Sequence, residues 1–179
     1  MSDVRVAMDA FFASVQFKAF RQAELATGSR EDALDIVQDA MLRLAQKYSA
    51  QAENWPKLFQ RILQNAIRDW YRRKKVKSIL FWLPRGNAED ADEEMDNHSP
   101  TDEKANPLEQ LQDQEIHEKV FKAVKNLPLR QQQAFILRAW WEYDTHDTAY
   151  AMQCTEGSVK THYSRAVAKL SEALAGENL

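Results

Sequence analysis

Between Glu89 and Asn106 the chain carries acids at positions 89, 90, 92, 93, 94, 96, 102 and 103 and almost nothing apolar. Such a stretch has no surface to bury and repels itself, so it forms no core and is expected to be a flexible linker. Pro84-Arg85-Gly86-Asn87, just before it, stops a helix. The 179 residues are thereby divided: 1–83 and 107–179 each have the length of one small domain, and 84–106 joins them.

Both halves read as helical. Only 4 Gly and 5 Pro leave few of the turns that a β-rich chain needs. From about Val4 to Ala26, Phe11, Phe12, Val15 and Ala19 supply one face. Thr27-Gly28-Ser29 is a turn, with Gly28 suited to a left-handed C-cap and Ser29 to the next N-cap. Ala33, Val37, Ala40, Met41 and Leu44 then recur at helical spacing to about Tyr48. Ser49–Trp55 reads as a polar loop, and Pro56 suits the first turn of a third helix. Phe59, Ile62, Leu63, Ala66, Ile67 and Trp70 form its stripe. Past the linker, Pro107 opens a helix carrying Leu108, Leu111, Ile116, Val120, Phe121 and Val124. Asn126-Leu127-Pro128 breaks it, a helix to about Trp140 comes next, and two short helices lie near Thr145–Met152 and Glu156–Leu174. The expected fold is all-α, two small helical domains with a helix-turn-helix in the second.

The net charge of −3 conceals opposed parts. Residues 1–88 sum to +6, 89–118 to −11 and 119–179 to +2. Within Lys57–Lys77 there are eight basic residues against one acid, Asp69. Asn65, Arg68, Asp69 and Arg72 share one helical face. Basic charge provides affinity for a phosphate backbone, and Trp55, Trp70 and Tyr71 are candidates to stack on unpaired bases. The bland alternative, a solvated helix end with Trp70 in the core, is preferred for Trp70 alone.

Residues Asp147–Leu170 have the layout of a helix-turn-helix. Ala149 sits where two helices approach closely, Cys154 points inward at the turn, and Val159, Tyr163, Ala166 and Leu170 share a face. The opposite face carries Ser158, Lys160, Thr161, Ser164 and Arg165, donors of the kind that meet base edges and phosphates in a major groove. An amphipathic helix at the end of a bundle would show the same spacing. Asp32, Asp35 and Asp39 share a face of the second helix, which admits a Mg²⁺ site, an ordinary hydrophilic face or a protein-docking surface. His146, Cys154 and His162 match no zinc spacing. A single cysteine excludes an intramolecular disulfide and fits a reduced setting. No signal peptide or membrane span is evident, so a soluble cytoplasmic protein is expected.

The whole chain outside 84–106 resembles a bacterial RNA polymerase sigma factor of the small, two-domain extracytoplasmic-function group. The N-terminal resemblance runs through Thr27-Gly28-Ser29-Arg30-Glu31-Asp32-Ala33-Leu34-Asp35-Ile36-Val37-Gln38-Asp39, then Ile62, Asn65, Asp69, Arg72 and Arg73. The C-terminal one runs through Leu127-Pro128, Arg130, Phe135, Leu137, Arg138, Ala149, Gly157-Ser158-Val159-Lys160-Thr161, Ser164-Arg165-Ala166 and Leu170. The resemblance implies that Asp35, Gln38 and Asp39 dock on the clamp helices of core RNA polymerase. It implies that Asn65, Arg68, Asp69, Arg72 and Arg73 meet the melted minus-ten element, with the Ser49–Trp55 loop helping to capture a flipped base. Lys160, Thr161, Ser164 and Arg165 would read the minus-thirty-five duplex, and the acidic linker would suit a basic channel of the polymerase. The implied partners are core polymerase, promoter DNA and an anti-sigma factor, with no cofactor, no metal and no catalysis. This sequence departs from the pattern in four places. Leu34 replaces a usual acid, and the Ser49–Trp55 loop is short. Asp147-Thr148-Ala149 stands for the common Glu-Ile-Ala, with Thr148 expected to weaken a core contact, and Gln153 stands for the usual turn Gly.

Two other readings remain. A DNA-binding regulator of the response-regulator type shares a Val-Lys-Thr-His core, here Val159–His162, but would carry an α/β domain for which there is no strand pattern. An all-α Mg²⁺-dependent nucleotide hydrolase would use Asp32, Asp35 and Asp39, yet the facing basic helix supplies no second carboxylate cluster.

Overall fold

The computed structural model describes residues 2–82 and 111–175, with side chains for 3–76 and 118–175. The linker expected over 84–106, Pro107 and Leu108 lie outside the described residues. Among the described residues there are seven α-helices and no strand. They are α1 (Ser2–Thr27), α2 (Arg30–Tyr48), α3 (Trp55–Trp82), α4 (Leu111–Lys125), α5 (Leu129–Phe135), α6 (Thr145–Met152) and α7 (Glu156–Ala175).

The α1–α2 corner forms as its turn residues dictate. Gly28 takes φ +68°, a backbone state that costs glycine nothing, and its N–H closes on Glu24 O at 2.8 Å. Ser29 Oγ accepts the Asp32 N–H at 3.2 Å and caps α2. Helices α1, α2 and α3 then bury Ala19, Ala23, Ile36, Val37, Ala40, Leu44, Phe59, Leu63 and Ile67 in one core. Phe11 meets Phe59 edge-on at 5.9 Å.

The stretch Ser49–Trp55 is not all loop. Ala52–Asn54 is a 3₁₀ turn, and Trp55 begins α3. Trp55 is buried, its indole N–H donates to Tyr48 O at 2.9 Å, and its ring meets Phe11. The indole therefore fixes the entry angle of α3 and is not available to stack on a base, which corrects the sequence expectation for Trp55.

The second half holds two clusters. Val124, Leu127, Ile136, Ala166 and Leu170 pack together, joined by Leu25 of α1. Ala134, Leu137, Ala149, Ala151, Met152 and Val159 form the core of the helix-turn-helix. The expected single helix up to Trp140 departs from α-geometry after Phe135. Ile136–Trp140 is a π-turn, closed by the Trp141 N–H on Ile136 O at 3.0 Å. Such widening inserts one extra residue into the turn and reorients the residues beyond it, here Trp141 and Tyr143.

Helix α6 has the bounds that the sequence predicts, Thr145–Met152, because Asp144 Oδ1 accepts the Asp147 N–H at 2.7 Å as N-cap. Thr148 does not leave an unpaired hydroxyl in the core. It is fully buried, and its Oγ1 donates to Asp144 O at 2.7 Å. The weakened contact expected there is offset within the helix itself.

Candidate nucleic-acid interface

Helix α2 turns its capped, acidic end outward. Asp35, Gln38 and Asp39 are exposed, between buried Ile36, Val37 and Ala40. Leu34 and Leu42 lie exposed beside them, at 49% and 55%, so the face mixes carboxylates with unpartnered apolar surface. Asp39 reaches Arg43 at only 3.8 Å and stays largely solvated. Across a cleft, α3 contributes Asp69, Trp70 and Arg73, facing Asp32, Asp35, Gln38 and Asp39 of α2. The two residue sets read separately in the sequence thus border one concavity. Among the described residues, no group of three or more His, Cys, Asp or Glu side chains is placed to hold a metal ion. Asp32, Asp35 and Asp39 share a face without converging.

On α3, Asp69, Arg72 and Arg73 are exposed, with Arg72 3.9 Å from Asp69. Asn65 and Arg68 are half-buried. Asn65 Oδ1 accepts Arg68 Nη2 at 2.7 Å, and the same Nη2 donates to Gln153 Oε1 at 2.7 Å. Burial, then the like charges of Arg130 and Arg72, push the Arg68 guanidinium below the usual arginine range. Trp70 is half-buried against the α1–α3 core, with Lys74 Nζ 4.7 Å over its ring. Tyr71 meets Trp70 edge-on at 5.3 Å and donates its hydroxyl to Ala26 O at 2.7 Å. Tyr71 thus ties α3 to α1, while Trp70 packs partly buried against the core at the α2–α3 cleft.

In the helix-turn-helix, α7 buries Val159, Ala166 and Leu170 and half-buries Tyr163, which stacks on Phe135 at 6.2 Å. Lys160, Thr161, Ser164 and Arg165 stand exposed on the opposite side. Ser158 is half-buried; its N–H donates to Thr155 Oγ1 at 3.1 Å, so Thr155 caps α7, and its Oγ lies 2.9 Å from the same atom. Cys154 is half-buried at the turn, and burial pushes its thiol above the ordinary range, away from the reactive thiolate.

The sequence model of the family Sigma-70, region 4 matches residues 117–170, the span from α4 through most of α7. Over 151 residues the chain is 26% identical to the RNA polymerase sigma-E factor of Streptomyces antibioticus, covering 83% of this chain and 73% of that one. Over 175 residues it is 29% identical to the ECF RNA polymerase sigma factor SigM of Mycobacterium tuberculosis, covering 95% and 78%. The chain is thus similar, over most of its length, to RNA polymerase sigma factors of the extracytoplasmic-function kind. Its fold is also that of the sigma factor RpoE of Bartonella quintana, solved in complex with the anti-sigma factor NepR. That likeness has a TM-score of 0.62 at 22% identity and covers 93% of this chain and 97% of the other. None of the described helices is long and apolar enough to cross a membrane.

One set of polar residues was not singled out by the sequence: a seam between α3 and the helix-turn-helix. Lys57 Nζ pairs with Asp147 Oδ1 at 2.8 Å. Arg61 lies 4.8 Å over the Tyr150 ring, and Tyr143 donates its hydroxyl to Pro56 O at 3.0 Å. Burial and the nearby Asp147 carboxylate push the Tyr143 phenol up to about 12, so it remains a donor at neutral pH. Elsewhere Trp141 Nε1 donates to Gln22 Oε1 at 2.8 Å, and Lys18 Nζ to Trp140 O at 3.0 Å. The spacing 57, 61, 64, 68 on α3 marks a stripe, but sequence alone does not say what meets it.

Proposed function

We propose that this sigma factor binds core RNA polymerase, recognises promoter DNA and supports initiation of transcription, the polymerase doing the chemistry. Residues 1–83 form the domain that docks and takes the minus-ten element, and residues 107–179 the domain that takes the minus-thirty-five element. Asp35, Gln38 and Asp39 meet the polymerase. Asn65, Arg68, Asp69, Arg72 and Arg73 meet the separated minus-ten strand, and Lys160, Thr161, Ser164 and Arg165 read the upstream duplex. Ser158, at the start of α7, joins that DNA-facing set. An anti-sigma factor is its regulator, a reading supported by the likeness to RpoE, which was solved with one.

The observation that carries this reading is the exposed polar face of α7 on a packed helix-turn-helix. Such a face presents donors to a major groove while the buried face holds the helix rigid. Arg165→Ala is expected to weaken upstream duplex binding about 10- to 100-fold, the discrimination carried by one good base-edge contact. Fluorescence anisotropy with duplex DNA measures it, with retention on core polymerase unchanged. Equal loss of both means that the wrong face of α7 has been assigned.

Co-purification of the full chain with core polymerase, and sequencing of the bound DNA, tests the function as a whole. Enrichment of promoters sharing two spaced elements supports it. A chain that does not bring down polymerase contradicts it.

A further inference from the structure

Helix α1 is apolar on two opposite sides. Met8, Val15, Ala19 and Ala23 face the core. Val6, Ala10, Ala13 and Phe17 recur at intervals of four, three and four, and all of them are exposed. At about 3.6 residues per turn, this line falls on the far side of the helix from the core. Phe17 is 71% and Val6 65% accessible, the two most open of the large apolar side chains among the described residues. A surface helix normally turns charged residues to that side. A continuous apolar line there is a surface for a partner.

The order of residues along the line says what kind of partner. From Asp3 it runs acid, large, small, small, large, base: Asp3, Val6, Ala10, Ala13, Phe17, Arg21. A second copy running the other way sets Val6 on the partner's Phe17, Ala10 on the partner's Ala13 and Asp3 by the partner's Arg21, each twice over. Such self-complementarity is what a two-fold contact requires. The alanines let the two backbones approach to about 8 Å, the close end of helix packing. No charged side chain stands on the line between Val6 and Phe17, so closing it strands no ion. On the other flank Asp9 and Gln16 are exposed, and a carboxylate there accepts from an amide of the second copy. Arg21 holds Glu24 Oε2 through Nη1 at 2.7 Å, and a guanidinium fork has further donors for a second carboxylate.

We propose that the outer face of α1 pairs with a second copy of this chain, antiparallel and centred between Ala10 and Ala13. One helix pair covers less than the about 800 Å² per partner of a standard interface. The dimer is therefore weak and forms as concentration rises. None of the residues assigned to polymerase or DNA lies on α1, so the pairing stands apart from those assignments.

Sedimentation velocity of the full chain, from about 5 to 500 µM to span weak affinities, is expected to move from one chain toward two. Phe17→Glu is expected to remain a single chain throughout, with an unchanged melting temperature because Phe17 is exposed. Should that variant melt earlier than the parent, Val6→Glu at the other end of the line replaces it. Register is read by cross-linking in a Cys154→Ser background. Val6→Cys and Phe17→Cys chains, mixed and mildly oxidised, are expected to form a mixed disulfide dimer, while neither does so alone. A parent that stays a single chain at every concentration overturns the proposal. So does a dimer that survives both glutamate substitutions, or Val6→Cys chains that cross-link to each other.

Discussion

Replacing Asp35 and Asp39 together by arginine is expected to abolish retention of this protein on core RNA polymerase, its proposed partner, while leaving its melting temperature within a few degrees of the parent. Both carboxylates are exposed on α2 and neither belongs to the core, so the fold has little to lose. Asp39 gives up only a long, solvated contact with Arg43, and exposed pairs contribute about 0–1 kcal/mol. At a docking surface the balance differs. Removing one partner of a buried charge pair costs about 2–5 kcal/mol, and reversing it adds like-charge repulsion. Two reversals therefore correspond to a loss of at least about 100-fold in affinity. Pull-down with core polymerase reads the effect, and circular dichroism checks the fold. The exposed Leu34, where the family usually has an acid, suggests that apolar contact supplements charge here. Retention of the double variant at parental affinity would mean that polymerase docks elsewhere.

The second large effect is expected at α3. Arg72→Ala with Arg73→Ala removes two exposed guanidinium groups from the proposed minus-ten face. Losing one phosphate-neutralising charge lowers the slope of log affinity against log salt by about 0.7 for a single strand, so the pair lowers it by about 1.4. At moderate salt, open-complex formation by the holoenzyme is expected to fall about 10- to 100-fold, each charge-assisted hydrogen bond being worth about 1–2 kcal/mol. Permanganate footprinting across a salt series measures both quantities. The Arg72–Asp69 pair is a 3.9 Å surface contact, so stability is expected to change little. Weakening without any change in the salt slope would remove phosphate from the assignment.

Local chemistry made much of this fold readable before any coordinates. Gly28 and Ser29 are a C-cap and an N-cap because only those residue types do both tasks cheaply. Asp144 fixes the start of α6 in the same way. The outward faces of α2 and α7 came from helical periodicity, and the structure places Asp35, Gln38, Asp39, Lys160, Thr161, Ser164 and Arg165 in the open.

What periodicity could not reveal was polar residues placed inside. Gln22, Gln60, Gln64, Gln131, Gln132 and Gln133 are polar and yet buried. Their burial depends on which helix comes to lie across them, which is long-range information. Trp55 was misread for a related reason. An indole at a helix start is equally compatible with exposure and with donation to Tyr48 O, and only the tertiary fold selects the second. The π-turn at Ile136–Trp140 carries no proline or glycine to announce it. Gln153 did carry a signal, a glutamine where the family has a turn glycine, but its partner Arg68 is 85 residues away in the sequence.

The central claim is that this chain directs polymerase to promoters, and run-off transcription tests it most directly. Purified core polymerase is given a linear template bearing a promoter recovered with this protein, with and without the protein. The account predicts a transcript of defined length only when the protein is present, and none when Asp35 and Asp39 are reversed. No open complex and no transcript on a genuine cognate promoter would contradict it.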